Sequence, residues 1–432
     1  MFAFIRRQPP GRIIALGFVL VILIGSVLLC LPCCVREGAA VRYIDALYTS
    51  TSAVCVTGLI AVDAGDTFTP LGQAVLGLLI QIGGLGVATA GAGIIVAMGK
   101  KINLKGRFII REALNLDTGK GTVRFLKVIF IITIIFELTG ALLSFIVFSR
   151  DYPPLRAAGI SLFHSVAAFN NAGFDILGGF RNMIPYQQNI LLNLTTCGLV
   201  FFGGIGFLVI WEAVEKRLNW RRFSMHSKVV LTVSAALIVI GTLLLKLTED
   251  VTWLGAFFHS VSARTAGFST YPLGQFSRAG LLALSGLMFI GASPGSTGGG
   301  IKTSTVYVLM KRIISAATNR AEKGFKYAIP ADAFRKAAVI TLIGLAVVGT
   351  GTYLMAVMEP ELPLIDILFE VTSAFGTVGL STGITAGLSD GSKALSILIM
   401  YIGRLGPLTI ASLWYFSRGE RTEYPEGNIA IG

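Results

Sequence analysis

Apolar residues along this chain run in blocks of membrane length, separated by short polar segments. The blocks fall at Ile13 to Leu31, Leu71 to Met98, Phe125 to Phe148, Ile190 to Trp211, Val229 to Leu245, Leu281 to Ile314 with an interruption, Ala337 to Met358, and Ala394 to Phe416. A helix needs about 20 apolar residues to cross a bilayer, so the pattern predicts an all-α polytopic membrane protein with eight transmembrane helices. After every odd-numbered block comes a shorter, half-apolar segment. The four read DALYTSTSAVCVTGL (Asp45 to Leu59), LFHSVAAFNNAGF (Leu162 to Phe174), FFHSVSARTAGF (Phe257 to Phe268) and LFEVTSAFGTVGL (Leu368 to Leu380). Each is too short to span and ends in a small-residue loop with one glycine before an apolar residue. Those glycines, Gly58, Gly173, Gly267 and Gly379, lie 115, 94 and 112 residues apart. The expected unit is helix, re-entrant pore helix and loop, helix. It recurs as repeat 1 at 13–98, repeat 2 at 122–211, repeat 3 at 228–316 and repeat 4 at 335–416, in a single pore domain with a tail at 417–432. Four copies imply pseudo-fourfold symmetry, imperfect because the third is one residue shorter between its His and its Gly.

Composition narrows the class further. Hydrophobic residues make up 54% of the 432, charged residues only 14%, and mean hydropathy is +0.75, which excludes an ordinary soluble globule. Fifty-one glycines with no G-X-Y period point to close helix contacts or irregular backbone in the bilayer, not to collagen. The net charge of +13 would suit nucleic acid, but its placement says otherwise. With a cytoplasmic N-terminus, the inner segments hold 26 Lys and Arg and the outer ones nine, against thirteen outer acids. This is a positive-inside bias with both termini cytoplasmic, a basic pI set by topology and anionic lipid, and an acidic mouth that concentrates cations. The apolar run after Arg6 and Arg7 is nearer span length than a signal peptide's, and no small-residue cleavage site precedes Cys33. Cys30, Cys33, Cys34, Cys55 and Cys197 have no metal spacing with any His and read as small apolar fillers.

The four loops suggest a chemistry. Non-helical backbone at membrane depth is tolerated only where protein buries it or where it lines a wet cavity. Four such loops around one axis make a pore whose carbonyls replace the water shell of an alkali cation, with glycine supplying the backbone angles. The negative C-terminal ends of the pore helices would aim at the axis. The candidate filter is Val56, Thr57 and Gly58; Asn171, Ala172 and Gly173; Thr265, Ala266 and Gly267; and Thr377, Val378 and Gly379.

These segments resemble the membrane subunits of the Ktr/Trk/HKT superfamily of potassium transporters, most of all its Ktr branch. The marks are VTGL (Val56 to Leu59), FNNAGF (Phe169 to Phe174), ARTAGF (Ala263 to Phe268) and TVGL (Thr377 to Leu380), and the resemblance covers essentially the whole chain. Trk-type relatives carry two additional N-terminal helices, whereas this chain starts with the first repeat. The sixth block is broken at Gly291-Ala-Ser-Pro-Gly-Ser-Thr-Gly-Gly-Gly300, through which no helix runs continuously. The break resembles the family's intramembrane gating loop, with Gly291, Ser293, Pro294, Gly295, Gly298, Gly299 and Gly300 followed by the lysine Lys302. Arg404, in Tyr401-Ile-Gly-Arg-Leu-Gly-Pro407, resembles the family's pore arginine below the filter. A structural alternative pairs Arg404 with Glu137, the other charge deep in a span. Arg264, matching an arginine of the family's third loop, is expected to brace the filter from behind, as are Asn170 and Asn171. His164, His259 and Glu370, at like positions in their helices, are expected to pack within them.

The resemblance also implies potassium uptake regulated by a cytoplasmic ring of KtrA-type subunits that binds ATP, ADP or a cyclic dinucleotide. The chain has no strand–helix G-x-G-x-x-G unit, so it is not expected to bind nucleotide itself. Gly295 to Thr303 nearly spells a Walker A, but Ile301 separates Gly300 from Lys302. The basic loops at 100–127 and 311–336 suit docking of the ring, and the tail resembles one that contributes to a homodimer. K+ is the expected cargo, Na+ a candidate co-ion, and a bacterial plasma membrane the expected location. Neither a Ser/His/Asp set nor a metal cluster appears, so no enzyme is expected. The rival class is a secondary transporter of a small solute with broken helices, which predicts inverted repeats, whereas the four segments here lie on one side.

Overall fold

The computed structural model describes residues 10–98, 106, 109–110 and 121–406. The tail at 417–432, most of the basic loop at 100–127 and the end of the eighth block lie outside the described residues. Among the described residues, four helices are each long and apolar enough to cross a membrane: Pro10–Leu29, Thr122–Phe148, Met225–Thr248 and Ala331–Met358. Each opens one repeat. Many of their large side chains face outward, among them Leu20, Leu142, Ile240 and Leu342, as expected where the surrounding solvent is lipid.

Each long helix leads into a shorter one: Tyr43–Val54, Pro154–Phe169, Trp253–Ser262 and Leu364–Gly376. These short helices are buried toward their C-terminal ends, which converge. They pack against the long helix before them, where Ser50 Oγ donates to the Ile22 carbonyl at 2.7 Å, Ser165 Oγ to Glu137 at 2.7 Å and Ser260 Oγ to Ile238 at 2.8 Å. Serine hydroxyls thus find their acceptors on backbone carbonyls of the neighbouring helix, as a membrane interior favours.

The second helix of each repeat begins at a side-chain cap, with Thr69, Asn189, Ser277 and Ser389 each accepting from a backbone N–H three residues on. None then runs straight through. Pro70–Leu85 and Val87–Ala97 meet at 100°, and Ile190–Ile205 and Phe207–Glu215 at 96°. In the third repeat Arg278–Phe289 gives way to irregular chain before Thr303–Thr318, and in the fourth Asp390–Leu405 stops at Gly406. The cause is a shared Gly-x-x-Gly: Gly86, Gly206 and Gly406 take φ of +83°, +94° and +88°, a region costly for other residues. Among the described residues, length and composition therefore give four helices able to cross, or six when each bent pair is taken as one span.

The ring closes where the fourth repeat meets the first. Lys393, 2% exposed, pairs with Asp45 at 2.8 Å, Arg42 reaches Asp390 at 2.9 Å, and Tyr401 Oη donates to the Ala15 carbonyl at 2.9 Å.

Candidate ion pathway

The four loop glycines form a closed ring. A Cβ placed on Gly58 would stand 2.5 Å from the Ala172 carbonyl oxygen and 2.9 Å from Gly173 Cα; one on Gly173 would stand 2.8 Å from the Ala266 oxygen and 2.9 Å from Gly267 Cα. Gly267 in turn faces Val378 and Gly379, and Gly379 faces Thr57 and Gly58. Each glycine therefore abuts the carbonyl that precedes the next glycine around the axis. All four have positive φ, at +94°, +67°, +79° and +94° in chain order.

A second regularity was not legible as a motif. Two residues before each glycine, Val56, Asn171, Thr265 and Thr377 also have positive φ, at 51°, 59°, 76° and 52°. For β-branched residues this costs on the order of 1–3 kcal/mol each and persists only where the surroundings enforce it. Enforcement is visible in the residue between. Thr57, Ala172, Ala266 and Val378 donate their N–H back to the final turn of the pore helix, to Ser52, Ala167, Ser262 and Ser373, at 2.7, 2.8, 2.9 and 2.9 Å. The Gly58 and Gly379 N–H groups bond to the Ser52 and Ser373 hydroxyls, both at 3.0 Å. With the donors turned backward, carbonyls remain for the axis. The twelve filter candidates thus occupy equivalent places around one centre.

The 291–302 segment lies directly against this ring. The Gly299 N–H donates to Thr377 Oγ at 2.9 Å, and Gly298 packs against the Thr265 side chain. Backbone bonds from Ser293 and Thr297 to the Gly204 and Gly203 carbonyls, at 3.0 and 3.2 Å, hold the segment to the second repeat's break. Ser293 and Thr303 hydroxyls meet at 3.0 Å, Phe207 N–H donates to Gly295, and the Pro294 oxygen abuts Gly206. Gly291 and Gly300 pack together, so the segment returns as a tight loop. Lys302 Nζ folds back onto the Gly298 and Gly299 carbonyls at 2.8 and 3.3 Å.

Arg404 does not pair with Glu137. Its guanidinium donates to the carbonyls of Thr297, Gly83 and Gly84, the last at 3.2 Å, joining the loop to the second helix of repeat 1. Glu137 instead accepts from Asn170 at 3.1 Å, and Asn170 also donates to Gln81 at 2.9 Å. Asn171 hydrogen-bonds the Thr265 hydroxyl at 3.0 Å, tying the second and third glycine loops together. His164 meets Thr196 Oγ at 2.8 Å, His259 meets the Gly255 carbonyl at 2.9 Å, and Glu370 meets Thr385. Arg264 turns away from the axis toward the Ser234 carbonyl, 3.4 Å off.

Composition alone did not single out Asp175, two residues beyond Gly173. It is 9% exposed, its carboxylate accepts from Leu177 N–H at 3.0 Å, and burial, with Asp63 and Asp66 adding to it, pushes its pKa up to about 7. The recurrent breaks in the second helices were also missed. Their signal was present in QIGGLGV (81–87), FFGGIGF (201–207) and YIGRLGP (401–407), in which Arg404 takes the place of Gly84 and Gly204.

Comparison with known proteins adds four findings. The profile of the family described as TrkH, cation transport protein, matches residues 13–416. The chain is 37% identical to the Ktr system potassium uptake protein B of Bacillus subtilis, over 99% of this chain and 97% of that one. It is 36% identical to the potassium/sodium uptake protein NtpJ of Enterococcus hirae, over 99% and 98%. The crystal structure of the potassium transporter TrkH from Vibrio parahaemolyticus shares the fold, with a TM-score of 0.74 at 18% identity over 95% of this chain and 86% of that one.

Proposed function

The chain belongs to the TrkH family of cation transport proteins, and from that premise we propose that it is the ion-conducting subunit of a potassium uptake system, with a channel-like pore and no enzymatic step. The carrying observation is the closed ring Gly58, Gly173, Gly267, Gly379. A potassium ion sheds water onto the carbonyls of the four loops and is driven inward by the membrane potential, about 2.3 kcal/mol per charge per 100 mV.

Below the filter, the 291–302 loop is the gate and Arg404 its latch. Opening costs the Arg404 bonds to Thr297 and the backbone bonds to Gly203 and Gly204. The guanidinium also repels cations, so conduction requires its displacement along with the loop. Each repeat contributes two crossings, the second bent or broken, giving eight with both termini cytoplasmic. The protein sits in a bacterial plasma membrane as a homodimer with a pore in each subunit. A cytoplasmic KtrA-type ring, binding ATP, ADP or a cyclic dinucleotide, controls the gate. With one glycine per loop, K+ is preferred over Na+ less strictly than by a full channel signature. A solute carrier with inverted repeats suits the ring poorly, because its four members meet head to tail in one sense.

Potassium or rubidium uptake into proteoliposomes, with an inside-negative potential and wild type beside Gly173→Ser, tests the reading. Saturable flux that the substitution abolishes or strips of K+ preference supports it. Flux unaltered by the substitution would sink it.

A further inference from the structure

Beyond the bend at Gly86 the first repeat leaves a hollow between two of its helices. Pro10–Leu29 and the bent half Val87–Ala97 touch at Gly17, where an added Cβ would stand 3.3 Å from Val87 Cγ1. One turn further they have parted, and a Cβ on Gly91 would meet nothing within 4 Å. A groove of about 260 Å³ opens there, lined from both helices and from Gly106, Ile109 and Ile110, and every lining residue is Ile, Val, Ala or Gly. It faces outward: Ile95 in its wall is 39% exposed, and Leu16 and Ile94 beside it are 54% and 61% exposed. On a helix of membrane length, such a surface is covered by lipid.

The sequence around this groove is basic and free of acids. Arg12 precedes the lining residue Ile13, Lys105 and Arg107 flank Gly106, and Arg111 follows Ile110. No Asp or Glu occurs before Glu37 or anywhere from 68 to 111. An unfilled hollow forfeits dispersion contacts, so an acyl chain lying in it gains packing. Lipid tails are as apolar as these walls, however, so the tail does not choose between lipids. The headgroup does, because clustered Lys and Arg beside a crossing helix attract anionic phospholipid.

We propose that the groove holds one acyl chain of an anionic phospholipid of the phosphatidylglycerol class, with the basic run at 100–111 supplying the counter-charge to its phosphate. The lipid braces Val87–Ala97 against the first long helix. Just before the bend, the Gly83 and Gly84 carbonyls accept from Arg404, so a chain that fixes the bend also steadies the latch. That effect on flux rests on the potassium-pathway reading above; the binding does not.

The test therefore has two arms. The full chain in phosphatidylcholine nanodiscs is doped with phosphatidylglycerol that carries a photoreactive diazirine in its acyl chain. Illumination should label Ile14, Ile95 and Ile109 well above Leu142, an outward-facing residue of another long helix. Unlabelled phosphatidylglycerol should displace the probe at a mole fraction where added phosphatidylcholine does not. Gly91→Phe places a ring in open space and should abolish the labelling while the thermal midpoint holds or rises. Lys105→Gln with Arg107→Gln should keep the groove but raise the displacing mole fraction about fivefold for each charge removed. Labelling no stronger than at Leu142, as a second copy or a protein segment seated in the groove would give, overturns the proposal; so does labelling that survives Gly91→Phe or is displaced equally by both lipids. In the second arm, rubidium uptake is compared in vesicles with and without phosphatidylglycerol. A difference in wild type that Gly91→Phe removes supports the coupling, and equal uptake overturns it while the site stands. Absence of flux in every lipid counts against the pathway reading and leaves the labelling result intact.

Discussion

Gly379 and Gly383 offer a matched pair for measuring what the glycine ring contributes. Their φ values are +94° and +102°, so an added Cβ strains the backbone similarly at both, by about 1–2 kcal/mol. Their surroundings differ. A Cβ on Gly383 has nothing within 4 Å, whereas one on Gly379 lands on the Thr57 carbonyl and 2.8 Å from Gly58 Cα, against 3.4 Å for ordinary contact. The first and fourth loops must then part by more than the roughly 0.6 Å that Gly58 Cα alone demands, because the Thr57 carbonyl oxygen stands closer still, and the obstructing atoms are backbone that cannot rotate aside. Overpacking of this kind costs about 1–3 kcal/mol. If the cost falls on the conducting geometry, potassium flux drops by about 5- to 150-fold in Gly379→Ala relative to Gly383→Ala. Rubidium tracer uptake in proteoliposomes, with K+ and Na+ competition and thermal unfolding of both variants, measures it. Equal fluxes in the two variants, or an undiminished K+ preference in Gly379→Ala, would refute the idea that loop contact sets the ion path.

Arg404→Ala leaves the Thr297, Gly83 and Gly84 carbonyls short of donors, at about 1–3 kcal/mol each, and should raise potassium flux in the absence of any regulatory subunit; unchanged or lower flux would remove the latch. Burial holds the Asp175 carboxyl up at about 7, above the ordinary carboxylate range, so folding stability contributed by its protonated form is present at low pH and lost as pH rises through about 7. Over the same interval the mouth gains a negative charge, so uptake from dilute potassium should rise with external pH, and Asp175→Asn should flatten the profile. Lys393→Ala strands the buried Asp45 carboxylate with only Arg42; a loss of about 3 kcal/mol is expected, read as a lowered thermal midpoint in detergent.

The architecture was legible wherever a residue type admits one reading. Long apolar blocks read as helices of membrane length, and a glycine recurring at one place in four half-apolar segments reads as structural, so the four helix–loop units and the glycine ring were visible in the periodicity. What escaped notice depends on conformation that side chains do not announce. Val56, Thr265 and Thr377 are β-branched residues that favour extended backbone, and only the bonds made by the residue after each explain their left-handed angles. The bends at Gly86 and Gly206 lay inside apolar runs, where hydropathy registers length but not direction. The partner of Arg404 was undecidable for a related reason: backbone carbonyls belong to every residue, so no sequence pattern marks them as acceptors.

Thr265 and Thr377 belong at once to the ring and to the ceiling of the loop beneath it, through Gly298 and Gly299. An ion that orders the ring orders those two side chains, and a seated loop does the same from below. On the proposed pathway, occupancy above and closure below would therefore be linked, and linkage is reciprocal. Abundant external potassium would hold its own exit shut, and scarcity would loosen it. Feedback of this kind would need no dedicated sensor, because the glycine ring and the loop beneath it share two hydroxyl side chains.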